Sequence, residues 1–472
     1  MNFSRLLFPV TSCALLALVG CAVGPDYQRP VVEAPAFKEA GNWKPAEPSS
    51  HLPRGKWWEA YGDPMLNDLE DRIEISNNTL LIAEARYRQA QAAATIASSA
   101  LFPSLSAEAS ASRSKSAARG SIPSSVSNNI GAGLSAAWEF DLWGSVRRSA
   151  EAGRAASAAS AADLESVRLS VHAMLAQTYF SLRVADTQQH LYERTIEDFA
   201  RSLKMTQNRY AQGIDTRADV AAAEAELKTA QAQAIDLSLE RVQLEHAIAI
   251  LVGQTPASFS LAPADLTLAV PGGPVLIPSE QLERRPDIAA AERRLAAANA
   301  GIGVAKGGYF PVISLSGSAG YQGTGFQHLF SAPNEIWSVG SSALMPLFNA
   351  GKVRAQVAEA RAAYDENLAT YRQTVLAAFQ EVEDNLAAVN LLAREAVVQT
   401  EAVGAARQST TITLNQYKAG TVSYLNVVTA QSAQLSAERT AAQLLGRQLN
   451  ARVTLLKAAG GNWDAAKMAA RP

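Results

Sequence analysis

Few residues in the chain combine the types and the spacing that catalysis requires. Glu381, Glu383 and Asp384 are close enough in sequence for general acid–base chemistry, but on a helix such a cluster is more simply a solvated face. The five histidines show no spacing typical of metal ligands. The glycine-rich segment Gly301–Gly307 precedes a Phe-Pro pair and a predicted strand, whereas a dinucleotide-binding loop follows a strand and opens a helix. We therefore predict no enzymatic activity, no cofactor and no metal site.

Cys21 is the residue with the most specific chemistry, because its thiol is placed to receive a lipid. Residues 1–20 contain the basic Arg5 and then an apolar run, which is the form of a secretory signal peptide. The Leu-Val-Gly-Cys string that ends at Cys21 resembles a bacterial lipobox, which implies cleavage before Cys21 and attachment of lipid, including palmitate. An ordinary signal peptide with an incidental cysteine is the alternative. Cys13 would leave with the signal, so no disulfide is expected.

The elements that carry these residues occur twice in the chain. Three landmarks of the N-terminal half return in the C-terminal half at nearly the same spacing. They are Ala100–Pro103 and Gly308–Pro311, Gly144–Arg147 and Gly351–Arg354, and Asn208–Gly213 and Asn415–Gly420. We therefore predict that each half is a copy of one structural unit.

Each half contains a long window free of proline, the residue that breaks helices. Apolar residues three or four positions apart fill these windows, which predicts a very long helix in each half. Gly213 and Gly420 interrupt the pattern, and a glycine suits the left-handed end of a helix before the chain reverses. We therefore predict helical hairpins at 144–252 and 351–459. None of these helices contains an uncharged apolar run of about 18 residues, so none is predicted to span a membrane.

Upstream of each hairpin, apolar residues alternate with small or polar ones, which predicts strand pairs at 104–142 and 312–348. A half-buried soluble hairpin fits this alternation equally well. In an exported, lipidated chain, however, four amphipathic strands favour insertion into a membrane as part of a β-barrel. Four strands cannot close a barrel, because every strand edge in a bilayer must be paired. Two copies give a barrel whose interior nearly fills, whereas three copies leave a lumen, so we predict a trimeric α+β membrane protein.

The predicted organisation of the chain follows from these elements and from its proline-rich stretches. The segments are a signal peptide at 1–20, a lipid-anchored tether at 21–62, a first repeat at 63–253, a proline-rich linker at 254–285, a second repeat at 286–461 and a C-terminal tail at 462–472. Within each repeat, a helix precedes the strand pair and the hairpin follows it. The formal net charge of −2 gives no electrostatic reason to expect nucleic acid as a partner.

Short strings of residues in a fixed order extend over nearly the whole mature chain. They are Gly24–Tyr27, Trp57-Trp58, Phe140–Gly144, Arg284–Ile288 and Pro346–Gly351. In this order the strings resemble the TolC-like outer membrane factor family. The resemblance is to its lipoprotein branch, the NodT-type outer membrane efflux lipoproteins of resistance-nodulation-division (RND) efflux systems. The Arg-Arg-Pro-Asp-Ile string at Arg284–Ile288 is the most specific of them.

The resemblance implies a homotrimer in the outer membrane, anchored by lipid. Its twelve-stranded β-barrel would take four strands from each chain and continue into a long periplasmic α-helical barrel. The partners would be a periplasmic adaptor (membrane fusion) protein and an inner membrane RND transporter. The channel would be a passive exit duct for small toxic compounds, with a role in multidrug resistance. Two alternatives stay open: a channel for protein (type I) secretion, and a non-pore periplasmic coiled-coil lipoprotein.

The same resemblance implies a constriction at the periplasmic end, near the two glycine turns. Asp219, six residues after Gly213, falls on a family gate aspartate, and Tyr417 falls on the gate tyrosine that it contacts. We predict a charge-assisted hydrogen bond between Asp219 and Tyr417 across neighbouring hairpins in the closed channel. The alternative is an aspartate that stabilises the start of a helix and a tyrosine that packs in the tunnel wall.

At three positions near the second turn the chain departs from the family pattern. Val422 stands where some relatives have a basic gate residue, and it cannot pair with a carboxylate. Asn426 and Thr429 stand where family members can carry an acidic ring at the entrance. A strong cation-selective ring is therefore not expected at those two positions.

The turns are also the predicted docking surface for the adaptor, a role carried over from the family, whose adaptors contact the hairpin tips. The residues are Gly213, Asp215, Gly420 and Ser423. The glycines need no partner to explain them, because the turns alone require them.

Overall fold

The computed structural model describes residues 22–30, 38, 56–118, 120, 123–268, 270 and 285–461. The predicted signal peptide, the predicted lipidation site Cys21 and the predicted C-terminal tail lie outside the described residues, as does most of the proline-rich linker. Within the described part, the chain is mainly helical and contains one β-sheet. The combination is the α+β class that the sequence predicts.

Seven α-helices occur among the described residues, together with short 3-10 helices such as Trp57–Tyr61. They are α1 (Pro64–Ser76), α2 (Asn78–Ser99), α3 (Ser145–Ala211), α4 (Arg217–Leu251), α5 (Pro286–Gly307), α6 (Lys352–Lys418) and α7 (Tyr424–Ala458). The two long helices α3 and α6 each contain 67 residues, and the shorter helices α4 and α7 each contain 35. The equal lengths agree with the predicted internal duplication. No described helix is long and apolar enough to cross a membrane.

The four strands form a single antiparallel sheet in the order β1-β2-β3-β4. The strands are β1 (Ser104–Ser116), β2 (Ser125–Glu139), β3 (Val312–Gly323) and β4 (Glu335–Leu344). The strand β2 of the first half therefore pairs with β3 of the second half. Where they meet, Gly133 lies opposite Gly320, and a Cβ on Gly320 would lie 2.6 Å from the Cα of Gly133. Only glycine fits at this crossing.

Both C-terminal strand ends fall short of the predicted limits at 142 and 348. After β2, the amide of Phe140 still donates to the oxygen of Ile313, but Asp141 turns away. The Asp141 carboxylate accepts from the amides of Val146 and Arg147 at 3.1 and 2.8 Å, which caps the start of α3. After β4, Pro346 follows within two residues, and proline cannot donate a hydrogen bond to a strand ladder.

Two compact units make up the chain, and each takes segments from both repeats. Of the described residues, the first unit takes those within 1–31, 86–161 and 290–372, and it contains the whole sheet. The second takes those within 32–85, 162–289 and 373–472, and it contains α1, α4 and α7. The compact units are therefore not the sequence repeats. Strand pairing between the halves accounts for this in the first unit.

In the first unit, residues 22–30 pack as a strap against α5. Gly24 has φ +116, and a Cβ there would lie 2.6 Å from the Cα of Gly303. The Tyr27 hydroxyl donates to Glu292 Oε1 at 2.6 Å. The sequence predicts an extended tether over 21–62, whereas this part of it is docked, because two glycines remove the side chains that would hold the backbones apart.

The core of the second unit lies where the 3-10 helix and α1 pack on the long helices. Trp58 and Tyr61 are buried there with Leu66, Leu69 and Ile73. Their partners are side chains of α3, α4 and α7, namely Leu175, Tyr179, Phe180, Leu182, Ile248, Leu449 and Val453. The C-terminal end of the predicted tether is thus part of the core, because its aromatic residues bury large apolar areas.

Candidate functional site

The two hairpin turns have the same backbone design. After α3, Gly213 adopts φ +73, and after α6, Gly420 adopts φ +77. In each turn the glycine amide bonds to the carbonyl three residues earlier, to Tyr210 at 2.9 Å and to Tyr417 at 3.0 Å. No atom lies within 4 Å of a Cβ built on either glycine, so the left-handed backbone conformation alone calls for glycine.

A polar network joins the two turns inside the second unit. Tyr417 is completely buried, and its hydroxyl donates to Asp215 Oδ2 at 2.5 Å. The Nε of Arg209 donates to both oxygens of Asp215 at 3.1 Å. The Arg209 guanidinium also lies 4.7 Å from the centre of the Tyr417 ring, which is a cation–π distance. Thr206 Oγ1 lies 3.1 Å from the Tyr417 hydroxyl and completes the network.

The electrostatics of the network favour a neutral tyrosine. Burial, and then the hydrogen bond to Asp215, raise the pKa of Tyr417 to about 12. Tyr417 therefore keeps its proton at neutral pH, and its hydroxyl donates a hydrogen bond to the carboxylate. Because Asp215 also accepts from a guanidinium, its bonds are charge-assisted and stronger than neutral ones.

An apolar cluster packs around Tyr417 in this network. Tyr424 at the start of α7 contacts Tyr417 edge to face, with ring centres 5.6 Å apart. Ala223, Val427 and Val428 are buried in the same cluster, and Val422 packs against it. Val422 thus has an apolar packing role in the second turn.

Asp219, the predicted gate partner, lies elsewhere in the first turn. Its carboxylate accepts from the Thr216 amide at 3.0 Å and from the Thr216 hydroxyl at 2.6 Å. Thr216 Oγ1 in turn accepts from the Asp219 amide at 3.2 Å, which completes a capping box at the start of α4. Within this chain Tyr417 therefore bonds to Asp215 rather than Asp219, because the capping box holds Asp219 at its own helix end.

The remaining predicted turn residues lie mostly on the surface. Gly213, Gly420 and Ser423 are exposed, whereas the side chain of Asp215 is only 9% exposed. Asn426 and Thr429 are also exposed at the start of α7. The turns therefore offer an accessible surface around a buried ionic centre, and Asp215 belongs to the centre.

The chain belongs to the outer membrane efflux protein family. The model of that family, described as "Outer membrane efflux protein", matches residues 69–254 and 277–461. It thus matches once in each half, which confirms the predicted internal duplication.

Two relatives and one solved structure show how far the similarity extends along the chain. The chain is 31% identical over 469 residues to the solvent efflux pump outer membrane protein SrpC of Pseudomonas putida, covering 96% of this chain and 97% of SrpC. It is 32% identical over 418 residues to the pyoverdine export outer membrane protein OpmQ of Pseudomonas aeruginosa, covering 87% and 88%. The structure of the outer-membrane channel OprN superposes with a TM-score of 0.87 at 33% identity, covering 93% of this chain and 99% of OprN. The predicted resemblance and the predicted function of an outer membrane efflux channel are confirmed.

Proposed function

We propose that three copies of the chain assemble into the outer membrane exit duct of a tripartite efflux pump. The open edges of the sheet carry this proposal. In the described part of the chain, β1 and β4 each pair with one strand only, and all their residues are exposed. Unpaired backbone groups are costly in a bilayer, so β4 of one copy would pair with β1 of the next. Three copies supply twelve strands, a number that leaves a lumen.

The proposed cargo is small toxic compounds that an inner membrane RND transporter and a periplasmic adaptor deliver. The relatives support small molecules rather than secreted proteins, since SrpC is named for solvent efflux and OpmQ for pyoverdine export. These names differ in cargo, which fits a shared outlet whose transporter selects the compound. We infer that the channel itself does no chemistry.

We further propose that the Arg209–Asp215–Tyr417 network holds the hairpin tips together in the closed channel. The network is buried, charge-assisted and formed between the two hairpins, which are the properties that a latch requires. Asp219 stays a second candidate, available to a neighbouring chain if its capping box opens. The exposed turn residues Gly213, Gly420 and Ser423 are the proposed adaptor-docking surface, with Asp215 acting through the shape of the turn.

Lipidation of Cys21 completes the proposal, and it would anchor the chain to the outer membrane. Its support is the lipobox-like string and the docked strap that begins one residue later. Mass spectrometry of the mature N-terminus tests it directly. A mature chain that starts at Cys21 without any lipid adduct would contradict the anchor.

A susceptibility profile of a deletion strain tests the exit-duct function. We expect hypersensitivity to some antibiotics, dyes or solvents, restored by the wild-type chain but not by a chain lacking β1 and β2. The purified wild-type protein should run as a heat-labile trimer on a gel and conduct ions in a bilayer. A monomeric, non-conducting wild-type protein would contradict the duct.

A further inference from the structure

An open groove lies in the first unit, between the C-terminal end of α5 and the N-terminal part of α6. Its volume is about 560 Å³, and its lining includes Lys306, Tyr309, Phe310, Arg354, Val357 and Arg361. Val23 of the strap forms one side of it. A volume between about 300 and 1,000 Å³ is typical of sites that hold small molecules. The groove is thus large enough for a polar headgroup and part of its apolar attachment.

The lining of this groove is basic and contains no carboxylate. Lys306 is partly exposed, and Arg354 and Arg361 are exposed. Arg354 and Arg361 lie two helical turns apart and so share one face of α6. Among the residues that the structure describes, none of the three forms an ion pair or a side-chain hydrogen bond within the chain. By contrast, Arg148 in the same unit bonds to both Asp26 and Glu151.

The other wall of the groove is aromatic and leads directly into the sheet. Phe310 stacks on Trp143, with ring centres 4.8 Å apart and planes inclined by 25°. The indole of Trp143 donates to the oxygen of Pro311 at 2.9 Å, which fixes the pair at the residue before β3 begins. Tyr309 is 48% exposed and presents its ring to the surface. Aromatic residues at strand ends are typical of the membrane–water interface of β-barrels.

Apolar side chains lie exposed at the same end of the sheet. The first residue of β3, Val312, pairs with the last residue of β4, Leu344. Beyond Leu344 the chain exposes Leu347 and Phe348 almost completely, at 92% and 89%. In a chain whose strands enter a bilayer, such residues border the acyl chains. The basic groove then lies at the level of the phosphates.

We propose that this groove binds the phosphate of an anionic phospholipid, whose acyl chains lie along the exposed apolar residues beyond β4. The proposal rests on the proposed insertion of the sheet into the outer membrane. Guanidinium groups match phosphate oxygens with two parallel hydrogen bonds, and Lys306 adds a third positive charge. The Tyr309 ring provides the amphipathic wall between the headgroup and the apolar region. Each cation near an anionic membrane surface adds to the affinity independently of the lipid's acyl chains.

Lipid titration of the purified full-length assembly tests the site. The assembly in detergent is titrated with phosphatidylglycerol or with zwitterionic phosphatidylcholine, and bound lipid is counted by native mass spectrometry. We expect saturable binding of phosphatidylglycerol to the wild type and weaker binding of phosphatidylcholine. The double variant R354Q/R361Q should bind phosphatidylglycerol about tenfold to thirtyfold more weakly. The variant R354K/R361K keeps both charges but loses the two parallel hydrogen bonds, so its affinity should lie between those of the wild type and R354Q/R361Q. The control K204Q/R394Q removes two exposed cations from α3 and α6 in the second unit and should bind like the wild type.

Three results would overturn the proposal. Equal loss of phosphatidylglycerol in R354Q/R361Q and in K204Q/R394Q would mean that only total charge matters. Tight binding of inorganic phosphate alone, seen as broadening of its ³¹P resonance by the wild type but not by R354Q/R361Q, would make the groove a free-phosphate site. Loss of the trimer in R354Q/R361Q, with no lipid bound to the wild type, would make it a contact between copies. Bilayer conductance of the wild type is measured in parallel. If the wild type conducts ions but binds no lipid, the groove proposal fails and the exit-duct function is still supported.

Discussion

The two hairpin turns have nearly the same backbone and opposite side-chain chemistry. Tyr210 and Tyr417 occupy the same place in the duplicated landmark, yet Tyr210 is 47% exposed and Tyr417 is completely buried. The first turn contributes the charged groups Arg209 and Asp215. The second contributes Tyr417, whose buried ring contacts the Arg209 guanidinium and whose hydroxyl donates a hydrogen bond to Asp215. The comparison teaches that duplication supplied two equal turns, and that divergence made them complementary halves of one contact.

Substitution of the two equivalent tyrosines should give the largest difference in stability between the two turns. Tyr417→Ala leaves a cavity and removes the hydroxyl that donates to Asp215, and we expect it to lower the free energy of unfolding by about 3–5 kcal/mol. Tyr210→Ala removes an exposed ring, and its effect should stay within about 0.5 kcal/mol. Denaturant unfolding of both purified variants measures the difference. Similar losses for the two would mean that the turns are energetically equivalent.

Substitution of the two aspartates of the first turn decides which one serves the proposed latch. Asp215→Asn leaves Arg209 without its charged partner, and we expect a loss of about 1–3 kcal/mol together with higher single-channel conductance. Asp219→Asn perturbs only the capping box, so its conductance should stay close to that of the wild type. If Asp219→Asn instead opened the channel further than Asp215→Asn, the partner predicted from the family would be the functional one.

The helix caps offer a matched pair with a smaller expected effect. Thr216 caps α4 through its side chain, whereas Ser423 makes no side-chain bond at the start of α7. Thr216→Ala should therefore cost about 1 kcal/mol of stability, and Ser423→Ala should cost almost nothing. Thermal denaturation of the two variants provides the test, with Ser423→Ala as the control. Equal shifts would show that the side-chain cap of Thr216 does not distinguish the stabilities of the two turns.

The buried Tyr417 should make the stability of the chain fall at alkaline pH and should leave it unchanged in the neutral range. The pKa of Tyr417 is raised from the ordinary 10 to about 12, so the folded chain holds the phenolic proton more tightly than the unfolded chain. This contribution to stability is complete below about pH 10 and is lost as the pH rises towards 12. Between those limits the wild type should lose more stability than Tyr417→Phe. Parallel pH profiles of the two proteins would refute the assignment.

The duplication, the glycine turns and the family could be predicted because each leaves a local pattern in the sequence. The choice between Asp215 and Asp219 could not, because the two carboxylates follow Gly213 by only two and six residues. Only the three-dimensional path of the turn directs Asp215 inward and leaves Asp219 at its cap. Within this chain Tyr417 bonds to Asp215, and the contact between Asp219 and Tyr417 across neighbouring hairpins stays a prediction.

Long-range contacts could not be predicted from the sequence either. The docking of the strap depends on Gly24 meeting Gly303, two glycines from opposite halves whose local sequences give no sign of each other. A proline- and alanine-rich stretch predicted a tether, since composition reports local stiffness and not distant partners. The basic groove could not be predicted for the same reason, because its cations come from separate helices.

The equal lengths of α3 and α6 limit which insertions and deletions the chain can accept during evolution. A single inserted residue in α3 would rotate every later side chain by about 100° and shift it by about 1.5 Å. Arg209 would then no longer face Tyr417 at the far turn, unless α6 gained a residue as well. An insertion or deletion in one 67-residue helix must therefore be matched by the same change in the other helix if the contact between the two turns is to be kept.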